Sequence, residues 1–259
     1  MITAFFQPGG ALEGGLDGYE ERPEQHRMAQ AVADAFEDGS SLLVEAGTGT
    51  GKSLAYLLPA LASDLRVVIS TGTRSLQDQL LRKDLPVLQE IVDHPFVAVP
   101  LKGTSNYLCR RRFEARVLSN RGKLPGALDV HEDWEAVEDW ARYTSTGDRA
   151  ELDSIPEDSS VWAQVTTNPE SRLGPRCPYY ESCFVTKARR EAENADLVVV
   201  NHHLFFADLA LRKEQPGARV LPDYEAVVFD EAHGLEEIMT EHFGVNVSSA
   251  RIENLLRDW

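Results

Sequence analysis

Apolar residues in this chain gather in short runs, separated by stretches in which they recur with a helical period. Arg66 to Thr71 (RVVIST), Phe96 to Val99 (FVAV), Leu197 to Val200 (LVVV) and Glu225 to Phe229 (EAVVF) read as strands with little or no polar alternation. That is the pattern of strands covered on both faces. Leu42 to Val44 reads as a further short strand. Helical patterns lie between these runs, as in LAYLLPALA after Ser53 and SLQDQLL after Arg74. Strand and helix in alternation predict an α/β fold built on a parallel sheet. The alternation breaks from about Lys102 to Asn194, where EDWEAVEDWARY sets Trp134, Val137 and Trp140 at helical spacing, a packing face. The expected organisation is therefore an α/β part (1–101), a mainly helical insert (102–194), the α/β part resumed (195–245) and the start of a further segment (246–259).

Composition narrows the setting. A chain of 259 residues that is 42% hydrophobic can bury a sizeable core in one or two domains. The opening MITAFFQPGG lacks a basic leader pattern, and no stretch approaches about 18 consecutive apolar residues. A cytoplasmic protein without a membrane segment is the expectation. In a reducing compartment its three cysteines are metal-binding or buried. The net charge of −16 argues against a general affinity for nucleic acid. The charge is uneven, however: Lys102 to Lys123 is basic and Asp129 to Glu170 acidic, so a basic groove and a solvated helix face both remain open.

The sharpest chemical signal is VEAGTGTGKS, residues 44–53. An apolar strand leads through a glycine-rich turn into an apolar helix, the context of a phosphate-binding loop. Gly47, Gly49 and Gly51, with Ala46, Thr48 and Thr50 between them, can turn successive N–H groups toward phosphate oxygens at a helix N-terminus. Lys52 would neutralise the β and γ phosphates, and Ser53 would place its hydroxyl on Mg²⁺. The strict pattern has Gly where Ala46 stands, but the remaining positions hold. Far downstream, EAVVFDEAH delivers Asp230 and Glu231 to the end of a buried strand. Asp230 suits the Mg²⁺ shell, Glu231 suits orienting and deprotonating the attacking water, and His233 suits coupling the nucleotide to the rest of the protein.

AGTGTGKS together with DEAH resembles a superfamily 2 helicase. Three further stretches make the chain similar to the iron–sulfur helicases of the XPD and DinG kind, on the bacterial DinG-like branch that includes YoaA. GYEERPEQHRMAQAV resembles that family's Q motif, in which Gln25, beside Arg22, reads adenine. STGTRSLQDQLL resembles motif Ia, which assigns Thr73, Arg74 and Gln77 to single-stranded DNA; helix capping by Ser70 or Thr71 is the bland alternative. LKGTSNYLCRRR resembles the segment of the first cluster cysteine, with Arg110, Arg111 and Arg112 as cations for a DNA backbone. ADLVVVNHHLFFADLALR resembles the return of the chain from the cluster domain. The resemblance spans nearly the whole chain. It implies a RecA-like P-loop domain (1–101 and 195–245), an inserted iron–sulfur domain (102–194) and the start of an arch-like domain (246–259). It also implies ATP, Mg²⁺ and a 4Fe-4S cluster as cofactors. The implied activity is ATP-dependent 5′ to 3′ unwinding of single-stranded or forked DNA in repair or replication stress, with a replisome-associated partner.

The same resemblance assigns the cluster to Cys109, Cys177, Cys183 and a fourth cysteine, and here Arg172, in SRLGPRCP, stands where that cysteine is expected. His131, His202 and Asp196 are the substitutes considered. A remnant without metal and a Cys₃His zinc site are the alternatives. Tyr107, Tyr179 and Tyr180 are either base-stacking platforms or core. The last residues, ARIENLLRDW, show no helix stop signal, so a truncated chain that binds ATP weakly, hydrolyses it slowly or not at all and does not unwind duplexes by itself is expected. Two rival classes stay open: a P-loop kinase or metabolic ATPase unrelated to DNA, and a non-catalytic metal-bearing adaptor for DNA or protein.

Overall fold

The computed structural model describes residues 2–16, 18–47, 49–121, 132–156 and 159–244. The chain divides into two compact units, Met1–Ala98 with Ala195–Trp259, and Val99–Asn194. The expected terminal segment 246–259 lies outside the described residues. No helix among the described residues is long and apolar enough to cross a membrane.

The first unit is a mixed α/β fold around a parallel sheet, as the sequence pattern predicts. Its strands are β1 (Val67–Thr71), β2 (Ala98–Pro100), β3 (Leu197–Asn201) and β4 (Ala226–Phe229), in the order β2-β3-β1-β4. β1 runs parallel to both neighbours, with Val67 opposite Leu197 on one side and Ala226 on the other. All five residues of β1 are buried. β-branched residues dominate these strands because their stiff side chains pack well on a pleated surface covered on both faces. Helix Pro23–Asp38 opens on a proline and closes at Gly39, whose φ of 62° only glycine adopts without strain. Helix Lys52–Ala62 buries seven successive residues from Ala55 to Leu61 against the core formed by Phe6, Leu12, Ile69, Leu88 and Val199. Each large side chain there contributes about 1.5–3 kcal/mol by leaving water.

One expected strand is not formed. Leu42, Leu43 and Val44 are 45%, 91% and 39% exposed and belong to no ladder. A strand exists only by pairing, and among the described residues nothing pairs with this segment, while β4 ends the sheet.

The second unit is mainly helical, with Arg110–Arg121, Glu132–Ala141, Ser160–Val165 and Phe184–Ala192 as its longer helices. Its core holds Tyr107, Trp134, Val137, Trp140, Trp162, Val165 and Phe184. The buried tryptophans keep their indole N–H groups satisfied: Trp140 donates to Glu151 at 3.0 Å and Trp162 to the Ser105 carbonyl at 2.9 Å. Gly147, at φ 65°, lies so close to the Phe184 ring that any Cβ would collide with it. A buried ion pair, Lys102 Nζ to Asp148 Oδ2 at 2.8 Å, sits where Tyr107 and Asp148 form a backbone bridge.

The approach to β4 is fastened by a buried carboxylate. Asp208, on helix His202–Glu214, has no exposed surface; its Oδ1 accepts from the Val220 and Leu221 N–H groups at 2.5 and 3.0 Å, and its Oδ2 from Arg212 Nε at 2.6 Å. Arg212 in turn donates to the Leu221 and Pro222 carbonyls. Replacing Asp208 leaves the Val220 and Leu221 N–H groups without their acceptor and takes from Arg212 its buried carboxylate partner, with Asp223 at 3.5 Å as the remaining one. Asp208→Ala should lower the stability of the first unit by about 3–5 kcal/mol in urea unfolding, whereas Asp38→Ala, at the end of helix Pro23–Asp38, should stay within about 0.5 kcal/mol.

Candidate functional site

The glycine-rich loop occupies the expected position before helix Lys52–Ala62. Gly49 and Gly51 both have φ of 77°, and a side chain at Gly51 would strike the Gln25 amide. Thr50 Oγ1 donates to the Gly47 carbonyl at 2.9 Å, tightening the turn. Thr48 lies outside the described residues. Lys52 Nζ reaches the Ala46 carbonyl at 3.3 Å and Glu231 Oε1 at 3.4 Å. Arg22 donates to the Gly49 carbonyl, and Gln25, which is buried, donates its amide to the Gly51 carbonyl at 2.9 Å. Both Q-motif residues thus brace the loop backbone, and the Gln25 amide nitrogen assigned to adenine is committed to Gly51.

The acidic pair arrives from across the sheet. The Asp230 N–H donates to the Ser70 carbonyl at 2.8 Å, extending the β1–β4 ladder by one bond past Phe229. Asp230 Oδ2 accepts from the Tyr56 hydroxyl at 3.1 Å. Glu231 takes φ 59° and ψ 47°, the one non-glycine residue with positive φ among the described residues. Its carboxylate lies between Lys52 and His233 Nδ1, 3.3 Å away. Ser53, Lys52, Asp230, Glu231 and His233 therefore share one locus, although they come from segments far apart in sequence.

Three more residues belong to that locus and were not singled out for it by sequence. Burial drives the Tyr56 phenol well above its usual pKa, and the Asp230 charge adds to the effect. Asp84 has its carboxyl pKa raised by burial, against the Ser53 hydroxyl, Lys83 and Gln79, which pull it down. His202 is buried, shares a 2.7 Å hydrogen bond through Nδ1 with Ser70 Oγ, and has its pKa lowered by burial against the Asp230 and Glu231 backbone. The available signal was a polar tip at Tyr56 in an otherwise apolar helix face, three residues after Ser53; for Asp84 and His202 no spacing rule reveals the contact.

The motif Ia residues behave unequally. Thr73 is the helix cap, its hydroxyl accepting from the Leu76 N–H at 3.2 Å, while Ser70 and Thr71 bond elsewhere. Arg74 is exposed at the first position of that helix. Gln77 is fully buried and donates to the Val199 carbonyl at 2.7 Å, so it ties the helix to β3 and offers no surface to DNA. In the second unit, Arg110 donates to the Ser182 carbonyl at 2.9 Å and lies 4.3 Å from the Phe184 ring centroid, a structural contact. Arg111 and Arg112 are half-buried. Tyr107 is core, its hydroxyl accepting from the Lys102 N–H, and Tyr180 lies beneath Arg190.

Cys109, Cys177 and Cys183 line a single pocket of about 30 Å³ with Arg111, Arg172, Tyr180 and Val185. Cys183 occupies the position just before helix Phe184–Ala192. Burial opposes its ionisation, but the backbone and hydroxyl of Thr186, the Arg172 guanidinium and the Val185 backbone outweigh that and lower its pKa. Arg172 donates to Thr186 Oγ1 at 2.7 Å and leaves its buried Nε without a partner. Among the described residues no three His, Cys, Asp or Glu side chains stand close enough to hold one metal ion. The substitutes considered for a fourth ligand do not join the pocket lining: His202 is bonded to Ser70, Asp196 accepts from the Val97 N–H at 2.7 Å, and His131 lies outside the described residues.

Comparison with known proteins follows the same division. Residues 23–114 match the DEAD/DEAH box helicase family and residues 167–252 the DEAD_2 family. The ATP-dependent DNA helicase YoaA of Escherichia coli is 43% identical over 257 residues, which cover 99% of this chain and 40% of that protein. YoaA of Haemophilus influenzae is 43% identical, with 100% of this chain and 40% of that protein covered. The ATP-dependent helicase DinG of Mycobacterium tuberculosis is 39% identical over 91% of this chain and 37% of that protein. The chain thus spans about two fifths of the length of these relatives. A solved XPD helicase aligns with a TM-score of 0.47 and 17% identity, covering 85% of this chain and 34% of the other. The chain belongs to the DEAD/DEAH box helicases and is similar to the N-terminal portion of the YoaA and DinG proteins.

Proposed function

We propose that this chain carries the nucleotide site and the cysteine-bearing insert of an ATP-dependent DNA helicase that works on single-stranded or forked DNA, in the 5′ to 3′ direction of the family it resembles. The observation that carries the reading is the meeting of Lys52 with Glu231, at 3.4 Å, beside Ser53 and Asp230. A loop made for phosphates and a carboxylate made for water activation have no structural reason to converge otherwise. The N–H groups of Gly47 to Lys52 would hold the phosphates, and Lys52 would leave Glu231 for the γ-phosphate as nucleotide enters. Ser53 and Asp230 are the oxygen donors for Mg²⁺, which when bound neutralises charge on the β and γ phosphates. Glu231, released from Lys52, would orient the attacking water and accept its proton, and His233 would couple that carboxylate to the rest of the protein. Arg22 and Gln25 would report adenine by bracing the loop. Residues 1–101 and 195–245 make the RecA-like domain in this reading, and 102–194 the insert.

The donor set of the insert fits an iron–sulfur cluster in part. Three thiols on one pocket wall, one of them at a helix N-terminus with a lowered pKa, suit thiolate ligation of a 4Fe-4S cluster. Arg172 supplies a cation in place of the fourth ligand. The chemistry such a group supplies is a rigid cross-link of the helices that bear Cys109 and Cys183. Thr73, Arg74, Arg111 and Arg112 are the groups left to meet a DNA backbone. We infer a cytoplasmic setting, and a replisome-associated partner on the strength of the likeness to YoaA.

Two measurements test this reading. Lys52→Ala should weaken ATP binding by about 10–100-fold, the worth of a charge-assisted contact, in a fluorescence titration of the chain; unchanged affinity would reject the nucleotide site. Iron and acid-labile sulfide should approach cluster stoichiometry in anaerobically purified native chain, and Arg172→Cys should slow cluster loss in air. Cluster in Arg172→Cys alone would show that three thiols do not suffice here.

A further inference from the structure

We propose that Tyr56 is a positioning residue that sets Asp230 for its cation, an inference that rests on the nucleotide site above. Tyr56 sits one turn after Ser53 on helix Lys52–Ala62, so the two side chains share a face. Its neighbours on the buried part of that helix, Ala55, Leu57, Leu58, Ala60 and Leu61, are all apolar. For packing alone a phenylalanine would serve, and it would avoid the cost of burying a hydroxyl. The hydroxyl is bonded to Asp230 Oδ2 at 3.1 Å, so that carboxylate accounts for its presence.

The geometry is that of a two-point hold. The main chain of Asp230 is fixed by its N–H bond to the Ser70 carbonyl at 2.8 Å, and the side-chain rotation is fixed by Tyr56. With Oδ2 engaged by a donor from the core, the carboxylate plane is set and Oδ1 keeps its lone pairs for a cation or its water. A tyrosine hydroxyl carries its proton at neutral pH, so the phenol serves as the donor in that bond. Partners of this kind, one shell behind a metal ligand, commonly change metal affinity by about 10–100-fold when removed. The same helix thereby supplies one cation ligand directly, Ser53, and orients the other, Asp230, from the next turn.

The test separates positioning from packing and from the nucleotide reading itself. ATP affinity is measured for the native chain, Tyr56→Phe, Asp230→Asn and the double variant, each with Mg²⁺ and with EDTA, alongside thermal unfolding. Tyr56→Phe should reduce the Mg²⁺-dependent gain in affinity about 10-fold while leaving affinity in EDTA and the melting temperature near native. In the Asp230→Asn background the same change should add nothing. An undiminished Mg²⁺ gain in Tyr56→Phe overturns the proposal. So does an equal loss with and without Mg²⁺, or a lowered melting temperature, because either marks a packing role. A native chain whose binding is absent, or indifferent to Lys52→Ala, fails at the nucleotide reading instead and takes this inference with it.

Discussion

The pairing of β1 with its two neighbours is the constraint on which the candidate site depends. β1 starts opposite Leu197 and Ala226, and its last two residues, Ser70 and Thr71, lie opposite Phe229 and Asn201 respectively, so three strands finish at one edge of the sheet. Ligand groups in open parallel sheets collect at that carboxyl edge. The next residue on β4 is Asp230, still held by Ser70, and the next on β1 is Gly72, where a Cβ would come 3.4 Å from that of Glu231. A slip of one residue would reverse every side chain of β4 and carry Asp230 away from Tyr56. The bond between Asp208 and the 220–221 backbone guards the same register from the other end, because it fixes the entry of the chain into β4.

Magnitudes indicate which contacts at that edge are built to yield. The Lys52–Glu231 pair is 27% and 36% exposed, and ion pairs so open to water contribute about 0–1 kcal/mol. A charge-assisted hydrogen bond from Lys52 to a phosphate is worth about 1.5–3 kcal/mol, so in the proposed role an entering nucleotide would win Lys52 from Glu231. The Ser70–His202 bond and the Gln77–Val199 bond are fully buried, and breaking either would orphan polar groups in the core. The sheet and its braces therefore stay, while the lysine and the glutamate are free to exchange partners. Glu231 in the left-handed region adds a second source of readiness, since that conformation is unfavourable for a residue with a Cβ and is held by its surroundings.

Much of this was legible in the sequence because it rests on local pattern. Four apolar runs became β1 to β4, and the glycine loop, Lys52 and the Asp230–Glu231 pair declare themselves by residue type and context. What was not legible depends on pairing across distance. Leu42 to Val44 has the composition of a strand, but composition cannot supply a neighbouring ladder. Gln77 looks like a surface donor on a helix, yet the helix is rotated so that its amide meets a β3 carbonyl. Nothing in a linear pattern says that Tyr56 reaches Asp230 or that Asp84 faces Ser53. The basic run after Cys109 misleads in the same way: Arg110 is drawn inward by Ser182 and the Phe184 ring.

Arg172 gives the cysteine pocket a different electrostatic character from a four-cysteine site. A fourth cysteine would add one more group able to carry negative charge beside the other three cysteines, and thiolates crowded together without metal repel one another. Here a guanidinium lies among them, lowers the Cys183 pKa and keeps a buried N–H unmatched. That neighbour favours the thiolate form of Cys183, together with the Thr186 and Val185 groups at the start of its helix. Packing joins the pocket to the rest of the second unit: Tyr107, Leu108 and Val185 belong both to its core and to the pocket lining, and Cys183 packs against that core. In a site with four cysteines the metal carries folding free energy; here a group entering the pocket would press on side chains of the core itself, so its uptake and the packing of the second unit would be coupled.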